Sequence, residues 1–167
     1  MNIETTLVDD DGVLVIASPA ALKRRYANRS FEYTFPKALL EGMRARELFA
    51  WQSGFEGEHK VSVQIVTDAA FGDAPSGDST DESRLALRDG QLLVVPYSQF
   101  TFGCDNGGRF EERDGLATIV TVPTDTYRVC VVRVGHSDDG CAFRVLLTPA
   151  LSEDHVRTID AIPGWMD

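Results

Sequence analysis

At 167 residues, with 43% hydrophobic and 25% charged side chains, the chain is long enough to bury a core without disulfide or metal staples. Sixteen Lys and Arg against 26 Asp and Glu give a formal net charge of −10, which opposes nucleic-acid and anionic-membrane binding and favours a protein partner with a basic surface. No stretch approaches the roughly 18 apolar residues of a membrane span. The segment after Met1 lacks the basic and apolar regions of a secretory signal, and Cys104, Cys130 and Cys141 are an odd number with no CxxC pair, so a cytoplasmic protein is expected.

Four Asp-Gly pairs, at 11–12, 89–90, 114–115 and 139–140, each open onto an apolar, β-branched run. Glycine reaches positive φ freely and aspartate tolerates it, so each pair reads as a hairpin turn. Ile3 to Val8 and Val13 to Ala17 then form a first strand pair. Ser18-Pro19 reads as an N-cap with proline at the first helical position, opening a helix to about Tyr26. Phe31 to Phe35 alternates aromatic and polar residues like a half-buried strand, and Pro36 starts a second short helix through about Arg44.

Strands are expected next at Glu47 to Gln52 and His59 to Thr67, where Val61, Val63 and Ile65 share one face. From Asp68 to Ser83 five acids and no base sit among Gly, Pro, Ser and Thr, the composition of a long exposed loop. Further strands are expected at Arg84 to Arg88, Gln91 to Pro96, Tyr97 to Phe102, Leu116 to Val122, Thr126 to Val134 and Cys141 to Thr148, followed by a short helix over Leu151 to Asp160. The even spacing of the last three Asp-Gly pairs is what a meander of similar hairpins produces, so no internal repeat is inferred.

Ala20 to Arg46 holds seven bases against two acids, a local +5, so the remainder carries −15. A basic helical edge bearing Arg24, Arg25 and Arg29 on an otherwise acidic body suits self-association as a homo-oligomer, or a partner of mixed charge. Acidic turns supply candidate recognition tips at Asp138 and Asp139. The many aromatics alternate as a core demands, with Trp51 and Trp165 the candidates for an exposed face.

Catalytic signatures are weak. Cys104 with His136 as base and Asp138 as orienter would need an activated thiol, and nothing local marks one, although Gly103 to Gly108 reads as a glycine-rich loop able to expose it. Calcium at Asp9 to Asp11 with Asp138 and Asp139 lacks the spaced ligand pattern of a calcium loop. His59, His136 and His155 are scattered without ligand spacing. No cofactor and no metal site are expected.

The run Leu85-Ala86-Leu87-Arg88-Asp89-Gly90-Gln91-Leu92-Leu93-Val94, continued by Val122-Pro123 and Tyr127-Arg128-Val129, resembles the strand pattern of small bacterial β-sandwich proteins of unknown function. It is also similar to the competence protein J type of nuclease inhibitor, in which a strand ends in a turn leading to a tyrosine-bearing strand. This chain has Asp125-Thr126 before Tyr127, where glycine is expected. The resemblance implies a bacterial, cytoplasmic, non-enzymatic protein and carries over no functional residue.

The expectation is therefore a mainly β, antiparallel, jelly-roll-like sandwich with two or three short helices, one domain over residues 1–167. It would act as an inhibitor or immunity-like interaction module through charged surfaces. The alternative is a small-molecule or carbohydrate-binding sandwich, assisted by calcium.

Overall fold

A computed structural model describes residues 2–67, 79–80, 83–137, 140–150 and 159–165. Nine strands form two sheets: β1 (Asn2–Asp9), β2 (Val13–Ala17), β3 (Leu48–Gln52), β4 (Gly57–Ile65), β5 (Ser83–Leu87), β6 (Gln91–Pro96), β7 (Thr118–Thr121), β8 (Asp125–Ser137) and β9 (Gly140–Pro149). Among the described residues three helices accompany them: α1 (Pro19–Tyr26), α2 (Lys37–Arg44) and α3 (Tyr97–Asp105). The protein is mainly β. No helix among the described residues is long and apolar enough to cross a membrane.

The five-stranded sheet runs β1-β4-β9-β8-β5 and the four-stranded sheet β3-β2-β6-β7. All pairs are antiparallel except β4 with β9, which is parallel and corrects the all-antiparallel expectation. The two sheets share one apolar cluster, and contacts such as the Trp51 ring 5.9 Å from Phe143 and the Thr5 and Thr118 hydroxyls 2.6 Å apart tie them together.

Burial explains the layering. β2 is buried at all five positions, because α1, α2 and α3 cover the side of the four-stranded sheet that faces away from its partner. On β1, by contrast, Leu7 and Asp9 are buried while Asn2, Glu4, Thr6 and Val8 are exposed, the alternation of a strand with one wet face.

This difference overturns the first hairpin. β1 and β2 are not partners: β1 pairs with β4 and β2 with β3 and β6, so Asp11-Gly12 is a corner where the chain leaves one sheet for the other. Asp89-Gly90 is a second such corner, between β5 and β6. Gly12 and Gly90 take φ of 66° and 68°, so the turn chemistry is as expected and the partner strand is not. Of the four pairs, the one at 139–140 stands between partner strands, β8 and β9.

α1 forms as its sequence requires. Ser18 Oγ accepts the Ala21 N–H at 3.3 Å, Pro19 opens the first turn, and Leu22 and Tyr26, one turn apart, are buried. Two other expectations are corrected. Tyr97 to Phe102 belongs to helix α3, where Phe100 and Cys104 fall on one buried face at helical spacing. Phe31 to Phe35 is irregular chain whose polar groups are met by side chains instead of a ladder: the Phe31 N–H donates to Asp105 Oδ1 at 3.0 Å and the Thr34 N–H to Glu32 Oε1 at 3.1 Å. The acidic stretch at 68–83, apart from 79–80 and 83, and the expected helix at 151–160, apart from 159–160, lie outside the described residues.

Candidate protein-binding surface

The three arginines singled out in the sequence separate in space. Arg25 is only 16% exposed at its side chain and is tied by an ion pair to Glu47, with Glu41 at 4.0 Å, so it braces α1 against the segment entering β3. Arg24 and Arg29 are exposed, as is Lys23, and none of the three makes an ion pair among the described residues. Elsewhere in the basic segment Lys37 lies 3.5 Å from Glu32 and Arg44 3.7 Å from Asp160.

Trp51 is fully buried among Phe49 and Phe143, which makes it core and corrects its candidacy for an exposed face. Asp138 and Asp139 lie outside the described residues. Cys104 is fully buried in the last turn of α3, so the expected exposed glycine-rich loop is corrected too. Burial pushes its thiol up, Asp105 adds to the rise, and Arg25 offsets part of it. Such a thiol is not a nucleophile.

The exposed aromatics lie elsewhere. Tyr33, Phe35 and Phe102 are 60%, 50% and 68% exposed. Phe31 lies beneath Tyr33, its ring 5.2 Å from Tyr33 and 5.7 Å from Phe100, both edge-on, while Phe102 stands on the outer side of α3 from Phe100. Tyr97 bridges the group, edge-on to Phe35 at 5.7 Å. Asp105 staples the loop to α3: one oxygen takes the Phe31 N–H and the other the Tyr33 hydroxyl. Those two bonds, the hydroxyl's first, hold the Asp105 carboxyl below its ordinary range, while the same bond pushes the Tyr33 phenol up.

The ends of this ridge carry opposite charge. At the start of α3, Ser98 Oγ donates to Asp10 Oδ1 at 2.7 Å, so the β1–β2 corner sets Asp10 and Asp11 beside Tyr97. At the other end, α1 lies so close that a Cβ on Gly108 would sit 2.6 Å from Lys23 N, and this brings Lys23, Arg24 and Arg29 alongside. The surface thus reads acid, aromatic, base. Sequence reasoning weighs these aromatics as a partner face but assigns them to the core, because it places Phe31 to Phe35 and Tyr97 to Phe102 in strands. Helical spacing over 97–105 buries Phe100 and Cys104 and turns Phe102 outward, and that is the signal that could have found it.

Beneath the acidic corner lies a buried polar network. Ser53 Oγ reaches Asp9 Oδ2 at 3.1 Å and Phe55 O at 2.9 Å, and the Asp11 N–H donates to Asp9 Oδ1 at 3.1 Å. His59 Nδ1 accepts the Cys141 N–H at 3.2 Å, so its proton sits on Nε2, 3.1 Å from Phe55 O and 3.6 Å from Asp9 Oδ2. Serine and histidine here each face Phe55 and Asp9 and not one another, which is a fastening and not a nucleophile–base pair. Among the described residues no three His, Cys, Asp or Glu side chains are grouped to hold a metal ion.

The molecule is therefore of the class in which two β-sheets share a core and helices cover one of them. Two solved structures share this fold. One, described as crocagin biosynthetic gene J, superposes with a TM-score of 0.62 at 16% identity over 89% of this chain and 97% of its own. The other is ComJ, inhibitor of the DNA degrading activity of NucA, from Bacillus subtilis, with a TM-score of 0.50 at 5% identity over 89% and 96%. At these identities the likeness is one of fold. No family model matches the sequence, and a search of curated proteins returns no match.

Proposed function

We propose that this chain is a non-enzymatic interaction module of the inhibitor or immunity kind, a single domain that docks a protein partner along the acid–aromatic–base stripe. The observation that carries the reading is the exposure of Tyr33, Phe35 and Phe102, with Tyr33 held by Phe31 and Asp105 and Phe35 by Tyr97. Exposed aromatics flanked by arginines have the composition of interface hot spots, and rings already fixed lose little freedom on binding. The net charge of −10 would steer a basic partner towards the surface, with the charged ends of the stripe setting its orientation. ComJ, which shares the fold, is an inhibitor of the DNA degrading activity of NucA, and that is consistent with the proposal. Three buried cysteines, an odd number with no CxxC pair, suit work in a reducing cytoplasm.

The test is capture of partners from the source cell, followed by titration of each purified candidate against wild type and against the Tyr33→Ala, Phe35→Ala, Phe102→Ala triple variant. Loss of the hot spots should weaken binding about a hundredfold, and association should slow as salt rises from about 50 to 500 mM. Equal affinity of a folded triple variant, or a rate indifferent to salt, overturns the reading.

A further inference from the structure

At the acidic corner a groove of about 530 Å³ opens between the Asp11-Gly12 turn, the segment from Gln52 to Glu56, and Trp165. Its walls are fixed from both sides. On one, the Ser53, Asp9 and His59 network holds Phe55 by its carbonyl. On the other, residues 163–165 add to the free edge of β3: the Gln52 N–H donates to Pro163 O at 2.9 Å and the Trp165 N–H to Gln52 O at 3.2 Å. Above Gly12 a Cβ would meet nothing within 4 Å, so the groove is open there.

The lining sets two carboxylates beside two aromatic rings. Asp11 and Glu56 are exposed carboxylates with no ion-pair partner among the described residues. Burial pushes the Asp11 carboxyl up, Asp10 and Asp9 push it further, and a hydrogen bond from the Ser98 backbone offsets part of the rise. Beside the carboxylates stand two aromatic rings, Phe55 and Trp165. The protein itself shows that the indole accommodates a cation: the Arg133 guanidinium lies 5.3 Å from the Trp165 ring centroid. Carboxylates with no ion-pair partner among the described residues, set beside electron-rich rings in a preformed concavity, favour a group that is positively charged, flat or small, and rich in N–H donors.

We infer that this groove binds a primary ammonium or guanidinium group, carried either by a small free cation or by a lysine or arginine side chain of a partner. Asp11 and Glu56 accept its N–H donors, Trp165 and Phe55 flank its alkyl stem, and Gln52 offers a neutral polar contact at the rim. The site uses none of the ridge aromatics but shares Asp11 with the acidic end of the docking stripe, so Glu56 and Trp165 are the residues whose effects belong to the groove alone.

The experiment is a heteronuclear NMR titration that follows the indole N–H signals of Trp51 and Trp165, assigned with Trp165→Phe. Probes are agmatine, the neutral n-butylurea, the tripeptide amide Gly-Arg-Gly and calcium chloride, each up to about 50 mM, because a single small cation is expected to bind in the millimolar range. Agmatine and the peptide should shift the Trp165 signal saturably while n-butylurea does not. Asp11→Asn and Glu56→Gln should each weaken the binding about tenfold, and Phe102→Ala should leave it unchanged. The tighter of agmatine and peptide tells a free cation from a partner's side chain. The inference is overturned if neither cation gives a saturable shift, if calcium reproduces the shift more strongly than either, or if the Asp11→Asn, Glu56→Gln double variant binds as wild type does.

Discussion

Replacing Phe31 by alanine should remove the foundation of the aromatic ridge. The ring is 5% exposed and meets Tyr26, Tyr33, Tyr97 and Phe100 at centroid distances of 5.9, 5.2, 6.2 and 5.7 Å. Truncating a buried phenylalanine costs about 3 to 5 kcal/mol. Here the lower end applies, because the exposed Tyr33 ring can fall into part of the space. At about 2 to 4 °C per kcal/mol for a chain of this size, the melting temperature should drop by about 6 to 12 °C. Phe31→Leu keeps most of the volume and should cost about 1 to 1.5 kcal/mol. A double-mutant cycle with Phe100→Leu should return a coupling of about 0.5 to 1.5 kcal/mol for the edge-on pair. Thermal denaturation followed by near-ultraviolet circular dichroism measures all three. An alanine variant melting within about 2 °C of wild type, or a leucine variant as damaged as alanine, would refute the idea that Phe31 carries the ridge.

Gly108→Ala places a Cβ at a φ of 70° and against the Leu22 carbonyl and Lys23 N, both backbone atoms that cannot swing aside; chemical denaturation should show a loss above the roughly 1 kcal/mol expected from glycine's φ alone. Ser53→Ala strips the buried Asp9 carboxylate of one of its hydrogen bonds and should cost about 1 to 3 kcal/mol, with Ser53→Cys intermediate, again by chemical denaturation. The Asp105 staple should fail at both pH extremes. Its carboxyl sits below the ordinary 3.8, so its stabilisation is complete above that value and lost as pH falls through the folded value; the Tyr33 phenol sits above 10.0, so its contribution is complete below that value and lost as pH rises beyond it. The Phe31 amide resonance should therefore hold steady between those limits and move outside them, and an Asp105→Asn variant should show no acid-side movement.

How far the fold is legible depends on which physical rule each segment obeys. The Ser18-Pro19 signal is local, and α1 begins where it says. The strands β2 and β6 are bounded by Asp-Gly on one side and by Pro19 or Pro96 on the other, so their limits can be read directly. Asp-Gly, however, fixes only the turn. Whether the next strand returns to its neighbour or crosses to another sheet is decided by what covers its faces, and the sequence does contain that information. Val13 to Ala17 is apolar throughout, as a strand covered on both sides must be, whereas Ile3 to Asp9 alternates. Two strands of such different pattern are poor candidates for partners. Phe31 to Phe35 misleads for the opposite reason: its alternation satisfies a strand template, but the Asp105 side chain, 74 positions from Phe31, takes the N–H that a ladder would have used. The groove at Trp165 joins residues from opposite ends of the chain, and no local pattern announces it.

The charge order of the surface follows from the helices beneath it. Lys23, Arg24 and Arg25 occupy the last turn of α1, where positive charge complements the exposed carbonyls. Asp10 meets the first turn of α3 through Ser98, where negative charge complements the free N–H groups. Gly107 and Gly108, just past the end of α3, pack against backbone of α1 between Leu22 and Tyr26. The basic end of α1 therefore lies beside the C-terminal end of α3, and the acidic corner lies at the N-terminal end. Charges placed to compensate two helix dipoles thus become separated along one exposed ridge, with the aromatics between them. In the proposed docking mode, net charge would draw a partner in and this separation would set its orientation: basic groups of the partner towards Asp10 and Asp11, acidic groups towards Arg24 and Arg29. Arg25 stands outside that proposed contact, because its charge is already engaged by Glu47.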